Sequence, residues 1–416
     1  MNKGFLKYFK NPMLIVLVVI LLFFTPSAIY SPGESRRRGV VTAVGIDMVE
    51  NEYEVSLLTF IPNVNQSFKE VSSVISGKGQ TMADAIYNAQ TAMGRRVGLA
   101  HAKTTIVSWT LMQEDIASHI DYLSRVSSLP ENTVIVCTDK TAKEVLEASF
   151  SLESNVGLQL EQVIGYNAEN MYVNDTSLES FYKGYYSPVK SSIIDYLTVV
   201  DGKEPSMADT QPAKQSGSDQ VDTSGSKGTG ENQDSGGKRI VNQGEAVLVK
   251  EGKFIKKLTL EELNGINLLN SKAVRQNYTV QEVTLGDSVV DATYKVRNKN
   301  VNINTHFENG YPVFEAHVVL GMELVEVGGR HEKLKISTES SHITPEISKK
   351  LDEVIKKQFT NSIRLLQENE TDVIGVTEQF YRNNRKGYIK FRNSITSPEK
   401  FIQYVTFKVN LIIRAD

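Results

Sequence analysis

Sulfur chemistry is nearly absent from this chain, whose 416 residues hold one cysteine, Cys137. An intrachain disulfide and a thiolate metal cluster are therefore excluded, because each needs at least a second thiol. Cys137 sits in the run Thr133-Val-Ile-Val-Cys, which reads as a buried strand, so a structural thiol is expected rather than a nucleophile. It is also far from the N-terminal region where a lipid-bearing cysteine would stand. Charge of one sign is lacking too: 46 Lys and Arg against 49 Asp and Glu give −3, no field for holding nucleic acid. Catalytic signatures are missing. There is no Gly-x-Ser-x-Gly elbow, no phosphate loop, no His-Glu-x-x-His and no dinucleotide fingerprint. The six histidines, His101, His119, His306, His317, His331 and His342, show no metal-ligand spacing. Asp372 and Glu378 could in principle share acid–base work, but solvated carboxylates are the commoner reading. No cofactor and no metal are expected, and the chain reads as a binding or assembly module.

Long hydrophobic runs are lacking as well, with one exception. Met13, Leu14, Ile15, Val16, Leu17, Val18, Val19, Ile20, Leu21, Leu22, Phe23 and Phe24 are twelve consecutive apolar residues. Lys3, Lys7 and Lys10 precede them, and Pro32 and Gly33 follow. A hydrocarbon core about 30 Å thick needs roughly 20 residues of helix, a length that Pro12 to Tyr30 supplies. An uncleaved signal anchor fits that length. A cleaved signal peptide shares the basic start and apolar middle, although Thr25-Pro26-Ser27-Ala28 is a poor cleavage site. A buried core helix would carry a polar stripe. The favoured expectation is a single-pass anchor in the lipid bilayer. Arg36-Arg37-Arg38 balances the lysines on the other side, so the positive-inside rule is silent; the export-type start places the bulk of the chain outside the cytoplasm.

The remainder alternates between strand and helix patterns. Val40–Asp47 and Tyr53–Ile61 read as a hairpin, and Ser76–Gly79 as a turn. Thr81, with Asp84 three residues on, opens a helix that Gly94 ends. Ala102–Trp109 reads as a strand, Glu114–Arg125 as a helix and Thr133–Cys137 as a strand; a helix capped at Thr141 follows. This alternation predicts a compact α/β or α+β region. Leu152–Val200 is less regular and rich in aromatics: Tyr166, Tyr172, Phe181, Tyr182, Tyr185 and Tyr186. Such a cluster can cage a ligand; filling space beneath loops is the commoner use. Gly202–Gly237 has almost no large apolar residue and reads as a flexible tether or loop.

Gly244–Lys250 and Lys253–Lys257 then read as paired strands, and Thr259 with Glu262 caps a helix. Residues 273–340 are strand-like. Thr344 and Pro345 open the longest helix, about 25 residues with Ile347, Leu351, Val354, Ile355, Phe359, Ile363 and Leu366 at helical spacing. Phe401–Ile413 reads as a closing strand. The divisions are 1–35 (anchor or signal segment), 36–200 (N-terminal α+β domain), 201–240 (linker or loop), 241–340 (middle β-rich domain) and 341–416 (long helix plus strands).

Five segments, in order, carry a resemblance: Val41-Thr-Ala-Val-Gly-Ile-Asp47; Ser73–Arg95 with Gly77-Lys-Gly79-Gln-Thr81; Ala100-His-Ala-Lys103; Gly244–Lys250 continuing through Leu258–Gly265; and Glu370-Thr-Asp-Val-Ile-Gly375. From residue 40 onward the chain resembles the Ger(x)C family, the C subunit of the germinant receptors of spore-forming bacteria. The resemblance implies an α+β fold of three mixed-sheet/helix domains after an N-terminal transmembrane helix. It implies a place on the outer face of the spore inner membrane, beside integral-membrane receptor subunits, with no enzymatic role. Family members usually carry a lipobox cysteine before the first domain. Around Ala28–Tyr30 there is none, so diacylglycerol attachment is excluded and the Met13–Phe24 helix would replace it. The alternative function is an exported envelope enzyme or a solute-binding module with an unrecognised site.

Overall fold

A computed structural model describes residues 38–61, 71–126, 128–148, 176–201, 238–242, 244–269, 276–285, 288–328 and 343–415. The expected anchor, Met13–Phe24, and the low-complexity stretch 202–237 lie outside them. Among the described residues no helix is long and apolar enough to cross a membrane.

The first sheet starts as the expected hairpin. β1 (Arg38–Val49) and β2 (Glu52–Ile61) run antiparallel, joined by Glu50 and Asn51 at φ 54° and 67°. Two successive left-handed residues make the turn whose twist matches the flanking strands. β3 (Val71–Gly79) pairs antiparallel with β2, so Ser76–Gly79 is strand rather than turn, and Ser73–Arg95 begins as strand rather than helix. The glycines there serve close approach. A Cβ at Gly77 would collide with the Ala89 amide nitrogen and the Ala85 carbonyl, and would lie 2.9 Å from the Ala89 Cα. Glycine inside a strand often marks such an approach of a second backbone. The approaching element is α1 (Met82–Met93), which begins where the Thr81 hydroxyl accepts the Asp84 amide and ends at left-handed Gly94.

β4 (Arg96–Gly98) and β5 (Thr104–Ser108) follow, then α2 (Ile116–Val126), β6 (Val134–Thr138), α3 (Ala142–Glu147), α4 (Leu178–Tyr185) and β7 (Ser191–Asp201). β1, β5, β6 and β7 form a parallel core covered on both faces, which is why β5 is buried at every residue. On one face Ile46, Val107 and Cys137 pack against Ile86 of α1, Ile120 of α2 and Phe181 of α4. On the other, Ala43, Ile106 and Val136 meet Val145 and Leu146 of α3. Cys137 is fully buried, and burial pushes its thiol up to about 12.

β8 (Lys238–Val241) and β9 (Ala246–Lys250) both pair antiparallel with β7, and β10 (Lys253–Leu258) pairs with β9. The sequence places residues 246–258 at the head of a middle domain; their hydrogen bonds make them the border of the first sheet. Its order is β10-β9-β7-β6-β5-β1-β2-β3, with β4 beside β1 and β8 beside β7.

The second sheet is four-stranded, in the order β11-β12-β13-β14. After α5 (Leu260–Leu268) come β11 (Asn277–Leu285), β12 (Ser288–Glu308) and β13 (Tyr311–Gly328), a long antiparallel meander. α6 (Pro345–Glu368) begins where the Thr344 hydroxyl accepts the Ile347 amide, and it lays Leu351, Ile355, Phe359 and Leu366 into the core. Val354, expected on that stripe, is exposed. Two short helices, α7 (Val376–Asn383) and α8 (Arg385–Arg392), precede β14 (Thr406–Ala415), which pairs parallel with β13. The expected strand from Phe401 begins instead in a 3-10 segment, Pro398–Tyr404. Phe401 and Ile402 are adjacent and both fully buried, which the alternation of a half-covered strand forbids. The observed architecture is thus α+β with mixed sheets.

Candidate functional site

Asp47, Asp195 and Asp372 are the buried carboxylates among the described residues, and each is engaged in the fold. Asp47 ends the Val41–Asp47 segment. Its Oδ1 accepts the Ala142 amide at 2.7 Å and its Oδ2 the Lys143 amide at 3.1 Å, so it caps α3 from 95 residues away. Asp372 caps α7 in the same way, accepting the Val376 and Thr377 amides at 2.7 and 2.6 Å. Its own amide donates to Ser191 Oγ of β7 at 2.8 Å. Burial raises both carboxyls above their ordinary value, against the pull of those amides. Glu378, the suggested acid–base partner of Asp372, is exposed and paired to Arg382 at 3.6 Å, so the two carry no shared chemistry.

Asp195 is fully buried on β7. The Asn242 amide donates to both its oxygens at 3.0 Å, the Tyr196 amide donates at 2.9 Å, and burial pushes the carboxyl up to about 7. Its folded value lies above the unfolded one, so the native state binds the extra proton between the two. Stability from this group is full below about pH 4 and falls by about 4 kcal/mol as pH rises to about 7. Asp195→Asn is expected to flatten that slope in urea unfolding measured across the window. A slope unchanged from the parent protein would contradict the assignment.

Tyr53 Oη lies 2.5 Å from His119 Nδ1, and His119 Nε2 lies 3.1 Å from Glu114 Oε2. The chain has the outline of a proton relay, but burial raises the Tyr53 phenol rather than activating it, and Glu114 is exposed. It ties β2 to α2. Of the aromatic cluster, Tyr166 and Tyr172 lie outside the described residues. Phe181 is core, Tyr185 Oη donates to Asp115 Oδ2 at 2.7 Å, and Tyr186 stacks over Tyr182 in the open. These rings cover α2 rather than enclose a cage. Among the described residues no group of three His, Cys, Asp or Glu side chains is placed to hold a metal ion.

What the structure does assemble is a joint between the two sheets. Glu370 takes Lys250 at 3.1 Å on one oxygen and Lys400 at 2.9 Å on the other, and those cations hold its carboxyl below the usual range. Gly265 of α5 lies against α6, where a Cβ would strike Ser362 Oγ, and Ser362 Oγ donates to the Glu262 carbonyl at 2.8 Å. The Gly244–Lys250 segment therefore meets Glu370, 120 residues on, and the Leu258–Gly265 segment packs on α6 at Ser362. Spacing along the chain could not show this.

Beyond the joint, a cleft of about 450 Å³ opens between α6 and β14. Phe359, Ile363, Phe407 and Val409 supply its apolar floor, with Lys356 and Arg364 at its rim. Among the described residues β14 pairs only with β13, leaving it at the edge of the second sheet beside this cleft. An edge of that kind accepts an added extended strand, the main chain giving affinity and the cleft giving selectivity.

Residues 34–199 match the family described as "Spore germination protein N-terminal domain". Residues 243–414 match "Spore germination B3/ GerAC like, C-terminal". A solved structure described as "Crystal Structure of the GerBC protein" aligns over 89% of this chain and 96% of that chain, at 11% identity and a TM-score of 0.49. No curated protein matches. The two matching domains follow one another in order and between them span most of the sequence: the chain belongs to the Ger(x)C family of spore germination proteins, a family of germinant-receptor subunits.

Proposed function

We propose that this chain is a non-enzymatic subunit of a spore germinant receptor. Met13–Phe24 holds it to the spore inner membrane, its folded body stands outside the cytoplasm, and it acts by assembling with integral-membrane receptor subunits. One observation carries the reading: two Ger(x)C domains, residues 34–199 and 243–414, follow a twelve-residue apolar run. A membrane-spanning helix anchors more durably than a single acyl chain. Among the described residues, the use of the three buried carboxylates as caps and tethers, and the place of β14 at a sheet edge beside its cleft, support assembly rather than turnover.

Deleting residues 1–30 is expected to move the protein from the spore membrane pellet into the soluble fraction. Full-length protein extracted from spore membranes is expected to bring a multi-span partner with it. Unchanged pelleting of the deletion overturns the anchor. Full-length protein that is recovered alone after crosslinking overturns the assembly role.

A further inference from the structure

The segment Tyr381–Arg392 carries five cations, Arg382, Arg385, Lys386, Lys390 and Arg392, and no acid, in a chain of net charge −3. Of these, Arg382 alone is ion-paired among the described residues, to Glu378. Four cations on an eight-residue helix repel one another, and Lys386 and Lys390 stand at i and i+4, where like charges destabilise a helix. The arrangement has an outward order as well. α8 rests on the core through buried Tyr388 and through Phe391. At about 100° per residue, Ile389 falls on the outward arc, between Arg385 and Arg392 on one side and Lys386 and Lys390 on the other. That isoleucine is 41% exposed.

Exposed aromatic rings flank the packed side of the same helix. Tyr311 and Tyr404 both contact Phe391, at 6.2 and 5.8 Å between ring centroids, and Tyr381 meets Tyr388 at 5.9 Å; all three tyrosines are exposed. The exposed arc of α8 therefore has an aliphatic residue flanked by cations, and exposed tyrosines stand beside the helix. We propose that the α8 face, with Ile389 at its centre, docks onto an anionic phospholipid bilayer surface. Phosphate headgroups meet the cations, the isoleucine reaches the acyl boundary, and tyrosines favour the headgroup level. An acidic protein surface would satisfy the cations but set Ile389 against carboxylates. The inference stands apart from receptor assembly and gives the folded body a membrane contact of its own.

The test uses the full chain with Asn393→Cys, an exposed position on the same face. It carries an environment-sensitive fluorophore, and buried Cys137 leaves that site as the reactive thiol among the described residues. The protein is reconstituted in phosphatidylcholine vesicles with or without phosphatidylglycerol. The expected result is a blue-shifted probe that lipid-borne quenchers reach only in anionic vesicles, reversed by high salt. Each cation at such a surface is worth about fivefold in affinity. Changing Arg385, Lys386, Lys390 and Arg392 together to Gln should therefore weaken docking by roughly 10³-fold, with the helical spectrum retained and melting no lower. Ile389→Ser, which keeps every charge, should lose quenching by acyl-chain quenchers while keeping salt sensitivity. Equal signals in neutral and anionic vesicles, no signal in either, or protection that appears only when membrane proteins are added would each overturn the proposal. A lost probe signal with intact vesicle co-sedimentation refutes this contact alone; lost co-sedimentation refutes the N-terminal anchor.

Discussion

Asp372→Ala is expected to destabilise the protein by about 3–5 kcal/mol. The substitution strips two buried amides, those of Val376 and Thr377, of their acceptor at once. An unsatisfied buried donor costs about 1–3 kcal/mol, and loss of a helix cap typically about 1. Asp372→Asn should recover roughly half of the loss, because one side-chain oxygen still reaches one amide. Urea unfolding of the full chain, followed by circular dichroism, separates the two variants. A loss below about 1 kcal/mol for alanine would mean that α7 finds another cap.

Gly77→Val is expected to be at least as severe, about 4 kcal/mol or more, from overpacking that no rotamer relieves. The obstruction is the main chain of α1, at Ala85 and Ala89, so relief requires the whole helix to move away from β3. That movement would open the core beneath Met82 and Ile86, which α1 now fills. Gly77 is a residue of ordinary backbone conformation, so the constraint is one of space. Lys78→Ala, one position along and bridging to Glu54 at 3.8 Å, should change stability by under about 0.5 kcal/mol and serves as the control. Equal melting temperatures for the valine variant and the parent would show that β3 and α1 are less tightly apposed than described.

The parts of the fold readable in the sequence are those whose cause is local. Thr81 and Gly94 bound α1, Thr259 and Glu262 close a capping box on α5, and Thr344 with Pro345 starts α6, because a cap and its amides lie within four residues of one another. Cys137 is legible as core for a similar reason: its neighbours are a continuous apolar run. What depends on a distant partner is not legible. Residues 246–258 look like an independent hairpin, and nothing in them names β7 as their neighbour. α7 and α8 are short, and their inward side chains, Phe380, Tyr388 and Phe391, are defined by Phe307 and Phe401 from elsewhere. One local signal for α7 was available: Asp372 stands four residues before the Val376 amide that it caps. The same split governs the sites. Five cations near residue 390 are plain in the sequence, whereas an outward Ile389 among them is a property of packing. The segments that carry the family resemblance mostly turn out to hold elements together, through Asp47, Gly77, Lys250, Glu370 and Asp372.

The position of β9 and β10 has a consequence for how the polypeptide is made. By the time residue 201 is translated, seven strands of the first sheet exist, yet the hairpin that flanks β7 ends only at Leu258. At roughly 5–20 residues per second, several seconds of synthesis separate the end of β7 from the end of the hairpin that borders it. A gene fragment cut near residue 200 makes that interval permanent, so the smallest self-sufficient piece of this half runs through Leu258.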